Sequence, residues 1–164
     1  MSRFTKTALA LALSAATVAM VPSPASALVV ASGFRVGNFT FVAPTAIVPI
    51  NGAALAVPFF VPAPTRVVIT FSAECAVDAV AGVNDAWIDI DIRIDGAVIV
   101  PPTGGTLEAF CTANGTAGFE GYTHPSITVV ANVAAGAHNV SILARRNNGA
   151  TGGWIGDSSI VLER

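Results

Sequence analysis

Residues 87–94, WIDIDIRI, alternate strictly between Ile88, Ile90, Ile92 and Ile94 on one side and Asp89, Asp91 and Arg93 on the other. A period of two marks a strand with one face in a core and the other toward water. The isoleucines are therefore expected inside, and the aspartates on a solvated face. Asp95-Gly96 follows as a hairpin turn of the primed type, because both residues tolerate positive φ. AVIV (97–100) returns and stops at Pro101-Pro102. The same period runs through TRVVITFSAEC (65–75), where Val67, Ile69, Phe71, Ala73 and Cys75 share a face and place Cys75 on the core side.

Three more strands are predicted at 126–133, 138–146 and 154–163, with loops at 134–137 and 147–153. NFTFVA (38–43) reads as a short strand. The apolar runs 46–50 and 54–61 are broken by Pro49 and Pro58, which suits edge or corner strands. Residues 76–86 read as a loop, and 103–125 as a turn-rich stretch holding Cys111. After the N-terminal segment no amphipathic helix is visible. Short alternating strands at this spacing predict an all-β fold, a single-domain antiparallel sandwich or barrel.

The N-terminus changes the picture of where the chain works. Arg3 and Lys6 precede an apolar run from Ala8 to Val21, which Pro22 and Pro24 end. The run is shorter than the ~20 residues of a membrane span, and Ala25-Ser26-Ala27 supplies a small-residue cleavage site. The expectation is a secretion signal over residues 1–27, cleaved after Ala27, and a secreted domain over 28–164 with no membrane insertion. Lys6 is the only lysine, and the whole chain carries 8 basic against 10 acidic residues. Without a basic patch, nucleic acid and anionic membrane surfaces are poor partners.

An even pair of cysteines, Cys75 and Cys111, in the exported part predicts one disulfide. Their spacing fits no zinc site. The segments VVITFSAEC, WIDIDIRIDG, AFC, VAAGAHNVSILAR and WIGDSSIVL together resemble a group of secreted bacterial β-sandwich proteins. Their strand layout is similar to the jelly roll of complement-type globular heads and tumour-necrosis-factor-like domains. The resemblance covers most of residues 65–163. It implies a jelly-roll sandwich and trimeric assembly, and it carries over no functional residue.

Candidate chemistry is sparse. Asp91, Arg93, Asp95 and Gly96 are spaced like part of a calcium loop, but Arg93 stands at a ligand position and Pro102 where a bidentate Glu belongs. Asp89 and Asp91 remain as a looser cation candidate beside the plainer reading of a wet strand face. Gly156-Asp157-Ser158 matches a lipase-type GDS block only in letters. That block opens a chain and needs a later Asp-x-x-His, whereas here it lies in the last strand and both histidines precede it. His138, after the AAGA turn, is expected to cap or pack at a strand start. His124 precedes Pro125 in a loop, and neither histidine has an orienting partner visible in the spacing. Asn38, Asn114 and Asn139 begin glycosylation sequons, which matter only in a eukaryotic host.

Trp87, Tyr122 and Trp154 lie near loop–strand junctions. They serve as a ligand platform, stacking on sugar rings, or else Trp87 and Trp154 plug the two ends of the core. With no catalytic constellation, no metal site and no cofactor motif, the expectation is a secreted non-catalytic β-sandwich for surface or matrix interaction. The alternative is a carbohydrate-binding module using exposed aromatics. Ile47 beside Val48 and Phe59 beside Phe60 give more apolar side chains than one core face needs, so some point outward and favour self-association. The jelly-roll resemblance makes that assembly a trimer.

Overall fold

The computed structural model describes residues 27–99 and 109–164. Twelve strands occur among them: β1 (Val29–Arg35), β2 (Phe39–Phe41), β3 (Thr45–Val48), β4 (Val57–Val61), β5 (Thr65–Ala79), β6 (Trp87–Ile94), β7 (Ala97–Val98), β8 (Ala109–Thr112), β9 (Gly118–Thr123), β10 (Ser126–Val133), β11 (Gly136–Asn147) and β12 (Gly152–Glu163). All pair antiparallel. The predicted signal falls almost wholly in residues 1–26, outside the described residues, as do Pro101 and Pro102.

The strands form two sheets. In the front sheet β12 and β5 are the inner pair; β1 and β2 share the far edge of β12, and β9 and β10 share the far edge of β5. In the back sheet β11 and β6 are the inner pair, with β3 and β4 beside β11 and β7 and β8 beside β6. Each pair of short strands fills one position, so the sandwich has eight positions whose winding order is that of a jelly roll. This is the fold the resemblance implied.

The long alternating segments supply the core. Val67, Ile69, Phe71, Ala73 and Cys75 of β5 face Ile88, Ile90, Ile92 and Ile94 of β6, and all are buried. The β6–β7 turn is the expected primed type, with φ of 52° at Asp95 and 85° at Gly96. The Cys75–Cys111 disulfide forms with Cα atoms 6.1 Å apart. It joins an inner strand of the front sheet to an edge strand of the back sheet, and both sulfurs lie in the core.

Four departures from the sequence reading matter. β5 runs on through Ala79 where a loop was expected; β1 was not foreseen; and β8 and β9 lie inside the stretch read as turns. The fourth is the aspartate row. Asp89 and Asp91 are on the outer side of β6, yet only 1% and 7% exposed. The outer surface of that sheet is roofed by its own polar side chains, so these carboxylates are not a solvated face. Of the adjacent apolar pairs, Val48 and Phe59 enter the core, while Phe60 points outward and is 63% exposed.

Candidate functional site

The two outer faces of the sandwich differ in chemistry. On the back sheet, β6 sets Asp89 opposite Arg145 of β11 and Trp87 opposite Asn147. The Trp87 indole N–H donates to Asp89 Oδ1 at 2.8 Å, and Asn147 Nδ2 donates to Asp89 Oδ2 at 2.5 Å. Arg145 donates to Asp91 Oδ2 at 2.7 Å, with the Arg93 guanidinium 4.0 Å from the same oxygen. Burial pushes the Asp89 carboxyl above its usual range; the donors from Trp87 and Asn147 and the nearby Arg145 act against that rise. These oxygens are turned to N–H donors of the chain itself. Among the described residues no group of three or more His, Cys, Asp or Glu is arranged to hold a metal ion. The half-buried Trp87 thus has its indole N–H engaged in this network.

On the front sheet the polar groups stay open. β12 carries a bulge: Ile155 opposes Cys75, but Ser158 opposes Ala73, so β12 gains a residue on β5 between these points. The extra length exposes Asp157 and leaves Gly156 beside Glu74. A Cβ at Gly156 would fall within 2.5 Å of Glu74 Oε2 and collide with the Trp154 ring. Glycine is therefore what lets the carboxylate and the indole lie together over bare backbone. Tyr122 of β9 meets Trp154 edge-on, with centroids 5.2 Å apart and planes at 86°. Tyr122 is 62% exposed. The three candidate aromatics thus divide: Tyr122 and Trp154 share the front face, Trp87 lies on the back, and neither tryptophan plugs the core.

Next to this pair runs an open groove of about 350 Å³, lined by Phe34, Val36, Ser72, Glu74, His124, Asp157 and Ser159 among others. His124 Nε2 is 3.9 Å from Glu74 Oε1, a partner no local spacing could reveal. Hydroxyls continue the polar surface along the sheet. Ser72 donates to Ser126 at 2.9 Å, and Thr70 and Thr128 pair at 3.0 Å. Ser158 of the GDS triplet is buried, with an unpartnered Oγ, while Asp157 Oδ1 accepts from the Gly37 backbone N–H at 2.7 Å. Asp157 is thus tied to the neighbouring turn through one oxygen only, and Ser158 is turned into the buried part of the strand.

His138, the other histidine, does work structurally. One ring nitrogen meets Asp95 Oδ2 at 2.7 Å and the other meets the Ala134 carbonyl at 3.0 Å. Both partners are acceptors, so the protonated ring can donate to both and a neutral ring to only one. The hydrogen bond to Asp95, aided by the Ala134 carbonyl, raises the His138 pKa; His138 and then the Asn139 N–H lower that of Asp95. This clamp ties the β6–β7 turn to the start of β11.

No protein-family model matches this sequence, and no curated protein matches it. Among solved structures the chain is similar to a family 35 carbohydrate-binding module from Clostridium thermocellum. The identity is 12%, the alignment covers 83% of this chain and 98% of that one, and the TM-score is 0.31. Function is therefore read from this chain's own side chains.

Proposed function

We propose that this chain is a non-catalytic binding module that, once exported, holds a carbohydrate on the outer face of its front sheet, at a cell surface or in a matrix. The observation that carries the reading is the perpendicular Tyr122–Trp154 pair at 5.2 Å, with Trp154 close to Glu74, which lines an open, largely apolar groove that also carries Ser72, Asp157 and Ser159. A sugar ring has an apolar C–H face and a polar rim. The indole takes the first, and Glu74, Ser72 and Ser159 take hydroxyls from the second. Rigid aromatic walls cost little ordering entropy on binding.

The test is a glycan array on the purified protein, followed by titration of the best ligand. Trp154→Ala should weaken binding by about 30-fold or more, as expected for an anchor worth ~2 kcal/mol. Binding that survives both Trp154→Ala and Tyr122→Ala would end this reading.

A second reading, self-association, is favoured by Phe60. It projects 63% exposed from β4, an edge strand of the back sheet, and Ile47 lies half-buried on neighbouring β3. A second copy would cover such an edge, with a trimer as the closed form. Sedimentation at micromolar concentration should then give a species that Phe60→Asp dissociates; a monomer unchanged on concentration rules it out.

A further inference from the structure

The charged groups around the groove are unequal in what they offer a ligand. Arg35 is spent: its guanidinium donates to the Gly37 and Asn38 carbonyls and lies 6.0 Å from the Phe39 ring centroid. Asp157 keeps one oxygen free, since only Oδ1 holds the Gly37 N–H. Glu74 receives no hydrogen bond among the described residues. Its two oxygens face different ways: Oε1 is toward His124, at 3.9 Å, and Oε2 is toward Gly156 and the Trp154 ring. Apart from the His124 imidazole beside Oε1, the charges the groove leaves open are therefore negative, and the Glu74 oxygen turned away from His124 adjoins an aromatic ring.

An ammonium group is stabilised by both neighbours at once, by the carboxylate through a charge-assisted hydrogen bond and by the ring quadrupole through cation–π attraction. A carboxylate or sulfate on a sugar would meet repulsion from Glu74 and Asp157. We infer that the groove selects amine-bearing sugars: a hexosamine ring stacks on Trp154 against Tyr122, and its ammonium is received by Glu74 Oε2. This selectivity rests on the carbohydrate-binding reading above and narrows it to a ligand class. Asp157 adds a second negative group to the groove, where a polymer carrying several amines gains further.

Titration calorimetry with three oligomers tests it, at a pH that keeps the sugar amine protonated: a β-1,4-glucosamine oligomer, its N-acetylated counterpart and an oligogalacturonate. The glucosamine oligomer should bind about tenfold more tightly than the N-acetylated one. That advantage should shrink with added salt, a wild-type measurement independent of any variant. Glu74→Gln, checked for folding by its melting curve, should bring the ratio of the two affinities close to one. Equal wild-type affinities, tightest binding to oligogalacturonate, or a ratio preserved in Glu74→Gln would each overturn the selectivity while leaving carbohydrate binding standing. Failure of all three oligomers, together with a blank glycan array, would overturn both.

Discussion

The two outer faces of this sandwich begin from the same sequence pattern and end in opposite states. β6 and β5 each turn alternate polar residues away from the core. On the back sheet, Asp89 and Asp91 meet Arg145 and Asn147 from β11 and become buried under their own partners. On the front sheet, Glu74 meets Gly156 and a bulge, which contribute no donor, and it stays available beside Trp154. The tryptophans follow suit: Trp87 donates its N–H to Asp89, whereas Trp154 is flanked by an exposed tyrosine. The difference is made by the facing strand. A carboxylate opposite an arginine becomes structure; a carboxylate opposite a glycine receives no such donor from the facing strand.

The strongest way to disturb both faces together is to cut the tie between them. The disulfide spans 36 residues and joins β5 to β8. Replacing both cysteines by alanine should cost about 3–4 kcal/mol in the chain-entropy account, read from urea unfolding with and without the bond. A loss below about 1 kcal/mol would mean that core packing alone sets the sheet spacing.

Next in size is a direct contrast of the faces. Asp89→Ala strands the Trp87 and Asn147 donors, and Asp91→Ala strands the Arg145 guanidinium; each should cost about 1–3 kcal/mol. Glu74→Ala removes a group with no such donors and should change stability by no more than about 0.5 kcal/mol. Equal costs on the two faces would erase the distinction between a closed and an open surface.

Smaller effects are expected from pH. His138 has a folded pKa raised above the ordinary 6.5, so its contribution is full below that value and is lost as pH rises through the folded pKa. Asp95, lowered from 3.8, contributes above that value and loses its effect as pH falls through the folded pKa. Asp89 acts in the other sense. Its raised pKa means that the folded state holds the proton longer, so stability falls as pH rises from 3.8 through the folded value. His138→Ala should flatten the alkaline limb of a melting-temperature profile. An alkaline limb of unchanged slope would mean that the clamp is not ionic.

Much of the architecture was legible because the long strands alternate cleanly. β6 and β10 match their predicted bounds, β11 and β12 differ only at their ends, and the face shared by Val67 through Cys75 gave the core side and the disulfide. What was not legible has physical causes. The end of β5, AVDA, shows no alternation because Ala76, Val77 and Ala79 are all buried, with Ala76 in register with Trp154. β1 is an edge strand with an irregular start, and its pairing with β12 comes from the far end of the chain. The buried aspartates depend on partners 54 and 58 residues away. Tyr122 and Trp154 were separately visible as candidates, but only the folded chain brings them together and sends Trp87 to the opposite face. Glu74 and His124 belong to the groove by the same kind of long-range placement.

The most direct test uses the two indole N–H groups as reporters, one on each face. In a ¹⁵N-labelled sample titrated with the array-selected oligosaccharide, the Trp154 indole signal should shift progressively with saturation, together with the Tyr122 and Glu74 amides. The Trp87 indole signal, held by Asp89 on the back sheet, should stay in place. Movement of the Trp87 signal with the Trp154 signal unmoved would put the ligand on the wrong face and contradict the account.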